Sequence, residues 1–69
     1  MAVRYESRVR KYRVRRGLSQ EALADKLGVS RQTIANIERG LNEPRVLLAV
    51  ALAAVLGVAI SELFRKNPK

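Results

Sequence analysis

Residues 17–40 read GLSQEALADKLGVSRQTIANIERG and contain three of the four glycines of the chain. Each of these glycines is followed directly by an apolar residue, and a fourth pair of this kind stands at 57–58. A glycine just past a helix adopts the left-handed conformation that satisfies the last carbonyls, and the apolar residue after it packs back on the final turn. The four pairs therefore predict four helix ends.

The segments before these glycines space their apolar residues at helical intervals, and none shows the alternation of a strand. The sequence predicts an all-α, compact five-helix domain whose core covers about residues 5–64. The predicted helices span about 5–16, 19–27, 30–39, 45–56 and 60–64. Ser19 and Ser30 are expected to cap the second and third helices, and the polar tail 65–69 is expected to fray.

Charge and composition reduce the number of functional classes that the chain could belong to. Fourteen Lys and Arg against six Asp and Glu give a net charge of +8, and the pI is near 11.2. The charge of such a small basic domain favours binding to a polyanion, and nucleic acid is the first candidate. Because Cys and His are absent, thiolate or imidazole metal ligands and the usual general base are missing. We expect a single domain that is not an enzyme and uses no metal or cofactor.

Two features of the sequence bear on the cellular compartment of the protein. The basic N-terminal stretch has no apolar segment of signal-peptide length. The apolar stretch 46–60 is too short to span a bilayer. Both observations predict a cytoplasmic protein, associated with the nucleoid if its partner is DNA.

The second and third predicted helices are separated only by Gly28 and Val29, and so short a turn is typical of a helix-turn-helix motif. At about 100° per residue, Ile34 and Ile37 share one narrow arc of the third helix. The rest of that helix carries long polar side chains that can reach base edges in a DNA major groove. These side chains are Arg31, Gln32, Asn36 and Arg39.

Residues 17–40, with the later stretch LGVAISELF at 56–64, resemble the DNA-binding domain of the Cro and phage-repressor family. These are the xenobiotic-response-element-like regulators of bacteria, archaea and phages. The resemblance covers about residues 7–64 and implies a repressor-like five-helix domain with a helix-turn-helix. It also implies sequence-specific binding of double-stranded DNA by a homodimer on a pseudo-palindromic operator. Transcriptional regulation is the implied function, with repression as the favoured mode.

The resemblance also implies roles for individual residues. Three fall at positions that read bases: Arg31, Gln32 and Asn36. Contacts with DNA phosphates are implied for Ser19, Gln20, Thr33, Arg39, Arg45 and Arg13. For Arg13 an ion pair with Glu38 is expected first, and Gln20 is also expected to support the recognition helix. Because Arg45 replaces the usual capping residue before the fourth helix, that helix is expected to start imperfectly or to be capped by Asn42.

The fourth helix, VLLAVALAAVL, is apolar on every side. One arc is expected to pack on the domain: Val46, Ala49, Leu52, Ala53 and Leu56. A helix that is apolar all round is normally buried all round, and an exposed apolar patch marks an interaction surface. We therefore predict a homodimer interface formed by Leu47, Leu48, Ala51, Val55 and Phe64. The plainer alternative is an alanine-rich helix that tolerates modest exposure.

Two further functions are compatible with this pattern. An antitoxin would repress its own operon and bind a toxin through the apolar fourth helix. A membrane-surface binder would use the cations of the first helix together with that apolar helix. The second of these is disfavoured, because the cations and the apolar residues belong to different segments.

Overall fold

The computed structural model describes residues 5–66, which form five helices and two short strands. In chain order these are β1 (Tyr5–Ser7), α1 (Val9–Arg15), α2 (Gln20–Leu27), α3 (Arg31–Glu38), α4 (Val46–Leu56), α5 (Ile60–Leu63) and β2 (Phe64–Lys66). The five predicted helices are confirmed. The largest difference in their bounds is at α1, which begins four residues later than expected.

The sequence around α2 and α3 explains where these two helices begin and end. The Ser19 hydroxyl accepts a hydrogen bond from the amide of Ala22 at 2.9 Å, and Ser30 accepts one from Thr33 at 3.1 Å. Both predicted N-caps are therefore confirmed. Gly28 ends α2 with φ 70°, a left-handed conformation that is costly for residues with a Cβ. The next helix follows at once, which gives the expected helix-turn-helix.

The expectation that no segment forms a strand is wrong. β1 and β2 pair antiparallel, with Tyr5 opposite Lys66 and Ser7 opposite Phe64. Strands of three residues are too short to display an alternating pattern in the sequence. Residues 65 and 66, which were expected to fray, belong to β2. The rest of the predicted polar tail, residues 67–69, lies outside the described residues.

One core joins all five helices. Its buried residues are Val9, Leu23, Ala24, Ile34, Ile37, Leu52, Ala53, Leu56 and Leu63. The inward arc predicted for α4 is confirmed except at Val46, which is 76% exposed. This residue lies in the first turn of α4, where the next residue, Leu47, is 84% exposed. The assignment of Val46 was wrong because the first two residues of α4 lie beyond the core, which α4 first meets at Leu48 and Ala49.

The start of α4 has no side-chain cap. Arg45 occupies the N-cap position with an extended backbone, and no side chain, that of Asn42 included, supplies a capping hydrogen bond. The predicted imperfect start is therefore confirmed. The helix is eleven residues long, and no helix within residues 5–66 has the length and apolar character needed to cross a bilayer.

Tyr5 ties β1 to the segment that precedes α4. Its side chain is 6% exposed, and its ring packs edge-on against Phe64 with the centroids 5.5 Å apart. The hydroxyl donates to the carbonyl of Asn42 at 2.6 Å and lies 3.1 Å from the carbonyl of Ile37. The loop that carries Arg45 is thereby held against the end of α3.

Raising the pH from 10 to 12 is expected to destabilise the wild type more than the variant Tyr5→Phe. Burial, followed by the nearby Glu43 carboxylate, raises the pKa of Tyr5 from 10.0 to about 12. The folded state thus holds this proton more tightly than the unfolded state does. The resulting stability is complete below pH 10 and is lost as the pH rises through 12. Urea unfolding across this range measures the effect.

The matched control is Tyr12→Phe, which removes the hydroxyl of a half-buried tyrosine that contacts Glu62 at 3.3 Å. This control should retain the alkaline loss of stability shown by the wild type. It also leaves Tyr5 as the only tyrosine, so tyrosinate absorbance then reports its titration directly. An equal alkaline loss in Tyr5→Phe would contradict the assignment.

Candidate nucleic-acid interface

Helix α3 has one buried face and one polar face. Ile34 and Ile37 are buried, at 0% and 1% exposure, and anchor the helix on the core. Arg31 and Gln32 are exposed, and Asn36 is half-buried. The three predicted base-reading side chains therefore lie on consecutive turns of one helix, and two of them are in solvent.

Two of the base-reading candidates contact each other. The side-chain amide of Gln32 donates through Nε2 to Oδ1 of Asn36 at 3.0 Å. This bond uses one donor and one acceptor of the pair, so each amide keeps a second polar atom for a base edge. An amide that presents a donor and an acceptor side by side matches the N6 and N7 atoms of adenine. The hydrogen bond between them orients the two amides before any DNA arrives.

A buried ion pair supports the polar face from behind. Arg13 donates to both carboxylate oxygens of Glu38, and it also donates to the carbonyl of Leu18 at 2.7 Å. The two charged side chains are 10% and 5% exposed. The expected Arg13–Glu38 pair is therefore present and joins α1 to α3. With its nitrogens engaged in these bonds, Arg13 has little surface left to offer a phosphate, which speaks against its second predicted role.

Gln20 extends this pair to the surface of the domain. Its Nε2 donates to Glu38 at 3.0 Å, and its Oε1 accepts from Arg31 at 3.2 Å. Gln20 therefore connects the buried carboxylate with a base-reading candidate, which is the supporting role predicted for it. The same contacts hold the start of α3 at a set distance from the start of α2.

The remaining predicted backbone contacts surround this polar face. Ser19 is exposed at the start of α2, and the hydroxyl of Thr33 lies 2.9 Å from that of Ser30. Arg39 is exposed at the end of α3, and Arg45 is exposed at the start of α4. These positions place cations and hydroxyl groups around the base-reading side chains, as binding to a duplex backbone requires.

The electrostatics of α3 favour a polyanion. The only carboxylate in the stretch 31–39 is Glu38, and it is buried against Arg13. The exposed charges of that stretch are Arg31 and Arg39, both positive. Within residues 5–66, no cluster of acidic side chains could hold a metal ion. The polar face offers hydrogen bonds and positive charge, which suit base edges and phosphates.

Tyr5 is a residue of this region that the sequence did not single out. It was assigned to the first helix, whereas its hydroxyl holds the loop that leads to Arg45. A buried tyrosine whose partners are backbone carbonyls more than thirty residues away leaves no local signal in the sequence.

Residues 9–63 match the protein family described as helix-turn-helix. The chain belongs to this family. A transcriptional regulator of the same type from Methanocaldococcus jannaschii is 46% identical over 59 residues, or 86% of this chain and 89% of that protein. The transcriptional repressor RstR of cryptic phage CTXphi, from Vibrio cholerae, is 37% identical over 59 residues, or 86% of this chain and 53% of that repressor.

A solved structure supports the same assignment. The biofilm master regulator SinR, crystallised in complex with DNA, matches with a TM-score of 0.69 at 35% identity. The match covers 77% of this chain and 86% of the SinR chain. The resemblance to Cro and phage repressors is thus confirmed, and the relatives are transcriptional regulators rather than enzymes.

Proposed function

We propose that this helix-turn-helix protein is a transcriptional repressor that binds a specific duplex DNA site as a homodimer. The observation that carries the proposal is the polar face of α3, where Arg31 and Gln32 are exposed while Ile34 and Ile37 anchor the other side. A helix built in this way can enter a major groove without unfolding any part of the domain. The similarity to RstR supports repression, and a duplex-DNA partner implies a cytoplasmic, nucleoid-associated location.

In this proposal, base reading belongs to Arg31, Gln32 and Asn36. An arginine bonds guanine through O6 and N7, and an amide bonds adenine through N6 and N7. The hydrogen bond from Arg31 to Gln20 orients the guanidinium at the N-terminal end of α3. This end of a recognition helix is the part that approaches the bases.

Phosphate contacts set the register of the domain on the duplex. The exposed hydroxyl of Ser19 and the amides at the start of α2 suit one phosphate. Gln20 and Thr33 stand beside the base-reading side chains, while Arg39 and Arg45 supply positive charge farther along. Such contacts strengthen binding to every sequence and carry no base preference.

The homodimer is supported by the outer face of α4. This face contains no polar residue, and Val46, Leu47 and Val50 are 76%, 84% and 49% exposed. A two-fold dimer would place two recognition helices about 34 Å apart, which is one turn of DNA. Leu48 and Val55 of the predicted interface pack partly against the core of their own chain, as does Phe64.

The antitoxin alternative uses the same DNA-binding face and the same apolar side of α4. No contact among residues 5–66 favours a toxin over a second copy of this chain as the occupant of that side. We therefore retain the regulator as the proposed function.

Selection of bound sequences from a random duplex library tests this proposal. We expect enrichment of one site composed of two inverted half-sites, with their centres about 34 Å apart. The spacing of the half-sites reports the dimer geometry, and their sequence reports the bases that are read. Binding at low salt with no enriched sequence would contradict the proposal.

Replacing Arg39 by alanine is expected to weaken binding to specific and random DNA alike. Each phosphate contact that is lost reduces the slope of log K against log salt by about 0.9 for duplex DNA. Fluorescence anisotropy at several salt concentrations measures this slope. Lys26→Ala is the matched control, because Lys26 is an exposed cation at the opposite end of α2 from Gln20. An unchanged slope in Arg39→Ala would refute the phosphate contact.

A further inference from the structure

A groove lies between α3 and the start of α4, and we call it the α3–α4 groove. Its apolar lining includes Val29, Ile37, Pro44 and Leu48, and the side chain of Thr33 lines it as well. It opens beside the segment that carries Arg45. The groove therefore lies next to residues that the proposed function assigns to DNA.

Leu47 borders this groove and is almost fully exposed. It lines the groove and yet retains 84% of its accessible surface. Val46 and Val50 on the same helix are also exposed, so three large aliphatic side chains form a continuous patch. A contiguous patch of this kind is characteristic of a protein interface, whereas single exposed leucines are common.

The patch is complementary to itself. It contains a projecting side chain, Leu47, and beside it an apolar groove with room for such a side chain. In a two-fold interface the same patch faces itself, so the leucine of each copy meets the groove of the other. A second copy of this chain therefore satisfies both features at once.

The charged residues beside the groove are also complementary to themselves across a two-fold axis. Glu43 and Arg45 both line it, both are exposed, and they stand two residues apart. A two-fold axis passing near this segment brings Glu43 of each copy towards Arg45 of the other. Opposite charges that face each other across an interface favour association and determine its register.

We infer that two copies of this chain associate through the α3–α4 groove, with Leu47 of each copy seated in the groove of the other. Glu43 of each copy then faces Arg45 of the other. The inference rests on the proposed homodimer and names its surface. It places the contact at the first turns of α4, so association also holds Thr33 and the Arg45 segment beside the DNA. Dimer formation and DNA binding are thereby coupled.

A charge exchange tests the facing pair. Glu43→Arg or Arg45→Glu alone places like charges opposite each other, and each variant is expected to raise the dimer dissociation constant about tenfold. Mixed in equal amounts, the two variants carry opposite charges at both contacts, so a heterodimer should form with nearly wild-type affinity. Sedimentation and native mass spectrometry without DNA measure this. Two unaffected single variants, or a mixture that stays dissociated, would overturn the inference.

Leu47→Asp tests the groove. Its dimer dissociation constant is expected to rise at least tenfold, because a buried leucine is replaced by a charge. Val14→Asp is the matched control, since Val14 is an apolar residue of α1 with 56% exposure that does not line the groove. The control should associate like the wild type. A monomeric wild type, or equal loss in both variants, would overturn the inference.

These measurements contain no DNA, so they separate the inference from the proposed function. If the wild type dimerises and responds to the variants as described, a failed library selection counts against DNA recognition alone. If the selection succeeds and the variants have no effect on association, the dimer uses another surface. A foreign protein that binds at Leu47 of a chain that forms no dimer would also overturn the inference.

Discussion

Replacing Glu38 by alanine is expected to lower the free energy of unfolding by about 3–5 kcal/mol. The substitution leaves the guanidinium of Arg13 at 10% exposure without its carboxylate partner, and it removes an acceptor from Gln20. A charge left unpaired in a buried site costs more than the intact pair contributed. For a small domain whose total stability is of order 5 kcal/mol, the variant should retain only about 0–2 kcal/mol and should unfold at a much lower urea concentration than the wild type. Urea titration followed by circular dichroism measures the loss.

Two companion variants make this result interpretable. Glu21→Ala removes an exposed carboxylate from the first turn of α2 and is expected to change stability by about 0.5 kcal/mol or less. Replacing both partners with apolar residues, Arg13→Met with Glu38→Leu, should recover most of the stability, because no charge is then buried. A double variant as unstable as Glu38→Ala would show that the cost arises from packing rather than from the unpaired charge.

Truncation of Gln32 or Asn36 to alanine is expected to weaken binding to the selected site by about 1–3 kcal/mol each. Binding to random duplexes should hardly change, because neither amide is assigned to the backbone. Anisotropy titrations against both DNAs at one salt concentration measure the difference. An equal loss on selected and random DNA would refute base reading by these residues.

The hydrogen bond between these two amides adds a sharper expectation. Because Gln32 donates to Asn36 at 3.0 Å, either truncation also removes the partner that orients the remaining amide. The double variant should therefore lose less affinity than the sum of the single losses, with a coupling of about 0.5 kcal/mol or more. Strict additivity would show that the two amides act independently on the DNA.

Much of the fold followed from local chemistry. Glycines after helices, serines before them and the spacing of Ile34 and Ile37 each act within a few residues, so their effects can be predicted from sequence. The strands were missed because their stability depends on pairing between two segments far apart in the sequence, 5–7 and 64–66, and on the packing of Tyr5 against Phe64. The exposure of Val46 was missed because a helical period does not show how far the core extends along α4.

In the candidate site, too, local features could be predicted from the sequence and long-range contacts could not. The polar face of α3 could be predicted because it depends on helical spacing alone. The Arg13–Glu38 pair was anticipated through the family resemblance. The hydrogen bond from Arg31 to Gln20 was not, because it joins the side chains of two different helices. The α3–α4 groove was not foreseen, because it depends on how the loop before α4 folds back under the hydroxyl of Tyr5.

The antiparallel pairing of β1 with β2 also matters for protein engineering. Because Tyr5 lies opposite Lys66, residues 5 and 66 stand side by side at one edge of the domain. A short linker from residue 66 back to residue 5 would therefore make a circular permutant of residues 5–66, with new ends in an exposed loop.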